Sequence, residues 1–123
     1  MARIVIMEDD SEVRCALKDM LESAEHEVLE AKNGVEGLAV CQQGRPDVVV
    51  LDILMPEKDG LEITLELSKT LPETKIIAIS GARMEGGLDV LDMAKKFGAH
   101  STLVKPFEAK ELIHALRQVL NEI

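Results

Sequence analysis

Apolar residues along this chain recur in two rhythms. Five short β-rich runs, Arg3 to Met7, Glu27 to Ala31, Asp47 to Leu51, Lys75 to Ser80 and Thr102 to Val104, alternate with five segments of helix length. Strict alternation of this kind predicts an α/β fold built on a parallel sheet. The third run, Val48-Val49-Val50-Leu51, and the fourth, Ile76-Ile77-Ala78-Ile79, are continuously apolar, as strands covered by helices on both faces must be. Both runs are therefore expected at the sheet centre.

Between the first two runs, Val13, Leu17, Met20, Leu21 and Ala24 recur at helical spacing behind Ser11, a good N-cap residue. Asn33 followed by Glu36 predicts a capping box for the second helix, and Gly44 with Pro46 supplies its stop. The third helical segment alternates locally (Leu61, Ile63, Leu65, Leu67), which suggests a strand. Parallel neighbours need a crossover, however, and Leu61, Thr64, Leu65 and Leu71 fit a helical face. The fourth opens through Gly86-Gly87, where mobility is expected, carries Leu88, Leu91 and Ala94, and ends at Gly98 in an expected left-handed cap. The last places Leu112, Ile113, Leu116, Val119 and Leu120 on one face.

With 123 residues the chain can bury one core but not two, so one domain over residues 1–123 and one functional site are expected. No apolar run is long enough to span a membrane, and Ile4 to Met7 leads straight into Glu8, Asp9 and Asp10, unlike a signal peptide. A cytoplasmic location is the default expectation. Cys15 and Cys41 lie in apolar-periodic segments outside any C-x-x-C pair, so both are expected as small buried thiols rather than a disulfide. The net charge of −9, without a basic cluster or an aromatic platform, disfavours direct contact with nucleic acid or anionic membrane. Protein partners are expected instead.

In an open parallel sheet, functional groups gather beyond the carboxyl ends of the strands. Here the first run ends at Glu8 and Asp9, the third at Asp52, the fourth at Ser80 and the fifth at Lys105. Three carboxylates brought close together repel one another unless a cation sits among them. An all-oxygen donor set without Cys or paired His points to magnesium or manganese rather than zinc. Asp52 then has the environment of a nucleophile toward a phosphoryl group, Lys105 adds a second positive charge, and the Ser80 hydroxyl can donate to a phosphoryl oxygen.

Taken together, the acidic pair after the first run, the D-x-x-M-P-x-x-D-G stretch from Asp52 to Gly60, Ser80 followed by Gly81, and Lys105-Pro106-Phe107 resemble the receiver domains of response regulators across the whole chain. The resemblance implies a doubly wound, flavodoxin-like sheet of strand order 2-1-3-4-5 with helices on both faces. It implies a phosphorylation-dependent switch of a two-component system or phosphorelay, of the stand-alone type, rather than a conventional enzyme. Asp52 becomes the phosphoacceptor, catalysing its own phosphorylation and dephosphorylation with Lys105 and Ser80. Mg2+ (or Mn2+) would be held by Glu8, Asp9, Asp52 and the backbone carbonyl of Leu54. A cis bond before Pro106 is also implied. The implied partners are a histidine kinase or histidine phosphotransfer protein and a downstream protein target, since His26, His100 and His114 are scattered and read as spectators.

Two positions depart from the commonest family pattern. Thr102 replaces an aromatic ring that would swing inward behind Ser80, so Ser80 and Thr102 are expected to relay the switch through backbone shift and Thr packing. Leu54 and Ala82 offer no side-chain hydrogen bond to orient a hydrolysing water, which predicts a long-lived phosphoryl group. The competing enzyme reading, a phosphohydrolase of the haloacid-dehalogenase type, also uses an Asp nucleophile and magnesium. It needs an acid two residues beyond the nucleophile, where this chain has Leu54.

Overall fold

The computed structural model describes residues 1–55, 59–81 and 90–121. Pro56, Ala82, Gly86, Gly87 and Leu88, invoked above, lie outside the described residues. Strands and helices alternate: β1 (Arg3–Met7), α1 (Ser11–Ser23), β2 (Glu27–Ala31), α2 (Gly34–Gly44), β3 (Val48–Asp52), α3 (Gly60–Thr70), β4 (Lys75–Ser80), α4 (Val90–Phe97), β5 (Ser101–Val104) and α5 (Ala109–Val119). The strands form one parallel sheet of order β2-β1-β3-β4-β5. The order reverses between β1 and β3, which is where such sheets place their sites.

Side chains alternate across each strand, and that alternation divides the interior in two. Val5, Met7, Val49, Leu51, Ile76 and Ala78 point to one face and pack with Leu38 and Cys41 of α2, Ile63 and Leu67 of α3, and Leu91 and Ala94 of α4. Ile4, Ile6, Val48, Val50, Ile77 and Ile79 point to the other and meet Leu17 and Leu21 of α1 and Leu112, Leu116 and Val119 of α5. The continuous apolar runs of β3 and β4 are thus explained by helices on both sides.

Local signals account for most helix boundaries, with corrections. The N-cap of α1 is Asp10 rather than Ser11: its carboxylate accepts from the amides of Glu12 (2.9 Å) and Val13 (3.3 Å). A carboxylate there also meets the positive end of the helix dipole. Asn33 caps α2 as expected, accepting from Glu36 N–H at 2.8 Å. The left-handed residue ending α2 is Arg45 (φ 43°), not a glycine, while Gly98 after α4 does take positive φ (123°). In α3 the core face is Leu61, Ile63, Thr64 and Leu67, whereas Leu65, expected inside, is exposed.

Cys15 is also exposed, contrary to the sequence expectation, because the buried stripe of α1 runs through Leu17 and Leu21 and a position two residues earlier faces outward. Cys41 is buried, and both thiols are free. Among the described residues, no helix is long and apolar enough to cross a membrane.

Candidate functional site

The same alternation that builds the core aims the polar groups. Glu8 continues the series Ile4, Ile6; Asp52 continues Val48, Val50; Lys105 follows Leu103, which packs on the α1–α5 side. All three side chains leave the sheet's carboxyl edge toward that side and meet. Lys105 Nζ donates to Glu8 Oε1 at 2.8 Å and to Asp52 Oδ2 at 2.9 Å. The Lys105–Pro106 peptide bond is cis, as the resemblance implied.

Asp52 is held on both oxygens, since Leu54 N–H donates to Oδ1 at 3.0 Å. This turns the Leu54 amide toward the acid while its side chain is left largely in solvent. The loop after Asp52 is anchored at its far end, where Gly60 N–H donates to the Ile53 carbonyl at 3.1 Å and Asp59 caps α3 through Leu61 N–H at 2.8 Å. Asp59 thus serves the entry of α3, and Asp10 likewise serves α1.

Glu8 is buried to 1% exposure, and Asp52 is buried beside it, while Asp9 is open to solvent. Burial pushes the Glu8 carboxyl up to about 7, with the Lys105 ammonium pulling the other way and Asp52 adding to the rise. For Lys105 burial pulls downward, but its hydrogen bonds to Glu8 and Asp52 outweigh that and raise the ammonium above its ordinary value. Lys105 therefore stays charged.

Glu8, Asp9 and Asp52 each present a carboxylate oxygen within 4.8 Å of the other two. Oxygens on opposite sides of an octahedral magnesium ion stand about 4.2 Å apart, at ~2.1 Å from the ion each, so a small inward movement lets this set share one ion. The donors are all hard oxygens, and the Lys105 ammonium bonds only two of the three carboxyls, so the cluster fits a small divalent cation.

Ser80 ends β4 and is buried, paired in register with Val104. Thr102 is half-buried on β5 and lines an open groove of about 500 Å³ between β5 and α5, with Leu103, His114 and Ala115 among its walls. Of the histidines, His26 Nδ1 accepts from Ala2 N–H (3.0 Å) and His100 Nδ1 from Ile76 N–H (3.1 Å), both away from the acidic cluster. One residue that the sequence did not single out touches the site's backbone: Arg14, whose Nη1 donates to the Glu8 carbonyl at 2.8 Å. Nothing in its spacing marks it, because Arg14 reads simply as a polar residue of an amphipathic helix.

Comparison with known proteins gives a consistent picture. The response regulator receiver domain family matches residues 4–117. The chemotaxis protein CheY of Listeria monocytogenes is 36% identical over 119 residues, covering 96% of this chain and 98% of that protein. Protein PilH of Pseudomonas aeruginosa is 36% identical over 120 residues, covering 98% of each. Among solved structures, a response regulator receiver domain protein from Clostridium thermocellum superimposes with a TM-score of 0.90 at 33% identity, covering 98% of this chain and 95% of that one.

Proposed function

We propose, from the premise that this chain belongs to the response regulator receiver family, that Asp52 accepts a phosphoryl group within a single receiver unit spanning residues 1–123. Receivers are phosphorylation-dependent switches of two-component signalling, and the chain is one of them. Its donor is a phosphohistidine on a histidine kinase or a histidine phosphotransfer protein, and its output is altered binding of a downstream protein.

The observation that carries this reading is the Lys105 ammonium bridging Asp52 and Glu8 beside Asp9. A carboxylate oxygen of Asp52 forms the new P–O bond as the P–N bond to the donor imidazole breaks, and the imidazole takes up a proton. Lys105 stays protonated and can turn from the carboxylates to the incoming phosphoryl oxygens. Glu8, Asp9, Asp52 and the Leu54 backbone carbonyl would hold magnesium, which when bound offsets charge on those oxygens. Ser80, at the end of β4, donates to a phosphoryl oxygen, and Thr102, which lines the β5–α5 groove, follows by repacking.

Treatment with acetyl phosphate and magnesium tests this. The wild type should gain the mass of one phosphoryl group, and Asp52→Ala should gain none. An unmodified wild type, or an equally modified Asp52→Ala, would refute the assignment. The phosphohydrolase reading finds no support: Leu54 stands where that chemistry needs an acid, and the matching family is the receiver family.

A further inference from the structure

Glu8 lies one residue beyond β1, where the sheet can hold only part of its backbone. Its N–H donates to the Ala31 carbonyl of β2 at 3.1 Å, while its carbonyl receives Arg14 Nη1 of α1 at 2.8 Å. The Arg14 guanidinium is tied in turn to β2, with Nε 3.4 Å from Glu30 Oε1, and the other oxygen of Glu30 lies 3.4 Å from Lys18 Nζ. Most of the Arg14 side chain is shielded from solvent.

The Glu8 carbonyl belongs to the planar peptide unit that ends at the Asp9 Cα, so gripping that oxygen fixes the direction in which the chain enters Asp9. On the other side of Asp9, Asp10 is fixed as the N-cap of α1. Asp9 is thus an exposed acid carried on a turn whose two ends are held. From this we propose that Arg14 is a positioning residue for the metal site, clamping the Glu8–Asp9 peptide so that the Asp9 carboxylate stands where the ion is bound. The inference rests on the receiver reading and adds to it a residue outside the acidic cluster.

The sign of the effect separates clamping from simple charge. Removing a cation that touches the backbone of the acidic cluster should strengthen binding of a divalent ion if only the field matters. Removing a clamp should weaken it, because the ligand must be ordered at the moment of binding.

The test is a magnesium titration of the whole chain, followed through the backbone amide NMR signals of Asp9 and Asp10, since the sequence contains no Trp or Tyr to report by fluorescence. Arg14→Ala should raise the magnesium Kd about tenfold. Arg14→Lys, which can still donate to the carbonyl, should recover part of that loss. Lys18→Ala, which removes the other cation on Glu30, should stay within about twofold of wild type or bind more tightly. Glu30→Gln, a milder change that loosens Arg14, should weaken binding in the same direction and serves if Arg14→Ala does not fold. Wild-type affinity in both Arg14→Ala and Glu30→Gln, or tighter binding in either, overturns the clamp. Equal weakening by Lys18→Ala also overturns it. Failure of the wild type to bind magnesium with shifts at Asp9 would instead overturn the receiver site itself.

Discussion

Lys105 and Asp52 are separated by 53 positions in the chain, yet the lysine ammonium lies 2.9 Å from the aspartate oxygen. A slim residue flanks the lysine. Residue 81, next to Ser80, is glycine, and a methyl group there would come within 3.3 Å of Lys105 Cβ. The backbone sets the base of the lysine as well, because Lys105 N–H donates to the Ser80 carbonyl at 3.0 Å.

Because this ammonium occupies one oxygen each of Glu8 and Asp52, it competes with a metal ion for them. Lys105→Met should therefore bind magnesium more tightly, by about 1 kcal/mol or roughly fivefold. The same variant should accept phosphate from acetyl phosphate more slowly, since the phosphoryl oxygens lose their counter-charge. Titration calorimetry and phosphorylation rates measure the two effects; a fall in magnesium affinity would show that the lysine orders the acids rather than competes for them.

Gly60 sits against the backbone of Ile53, and a methyl group added there would lie 2.5 Å from Ile53 Cα. Backbone cannot swing aside as a side chain can, so Gly60→Ala should destabilise the protein by about 2 kcal/mol or more. The strain falls on the loop that presents Leu54 to Asp52. Urea unfolding and magnesium affinity should both report it, and an unchanged unfolding midpoint would contradict this packing.

The two thiols should differ sharply in reactivity. Cys15 is exposed, whereas burial pushes the Cys41 thiol up to about 12. Only the thiolate attacks an aromatic disulfide reagent. One thiol should therefore react promptly in the folded protein and the second only on unfolding, with Cys15→Ser abolishing the prompt phase.

His100 should make the fold sensitive to mild acid. Burial, then the nearby Lys75 charge, lowers its pKa below the ordinary 6.5, and its Nδ1 must stay unprotonated to accept from Ile76 N–H. The unfolded chain then takes up the proton first, so the His100 contribution is complete above 6.5 and is lost as the pH falls from there through the lowered value. His100→Asn keeps an acceptor but cannot titrate. Melting temperatures recorded at about pH 7.5 and about pH 5.5 should differ less in this variant than in the wild type. Equal differences would place the acid sensitivity elsewhere.

Phosphoryl lifetime offers a last check. Leu54 turns its side chain to solvent and offers Asp52 only its backbone, so it cannot align a water for attack on the acyl phosphate. The phosphorylated protein should decay slowly in magnesium buffer, and Leu54→Asn or Leu54→Glu should shorten the lifetime. Loss of the label within seconds in the wild type would contradict this.

Hydrophobic patterning by itself determined most elements of this protein, and α3 (Gly60–Thr70) followed once parallel neighbours required a crossover. Short β-rich apolar runs separated by helical stripes specify strands and helices through local sterics, and the acids, serine and lysine at the ends of those runs share one edge once the sheet is parallel. β1, β2 and β4 coincide with their predicted runs, while β3 and β5 are displaced or extended by one residue. The outward faces of Cys15 and Leu65 were decided by the rotational phase of α1 and α3 against the sheet, a property of packing that several apolar registers satisfy equally well. The grip of Arg14 on the Glu8 carbonyl joins a helix to a strand end through a backbone atom. Backbone atoms are identical at every position, so only the tertiary fold could reveal which one the arginine holds.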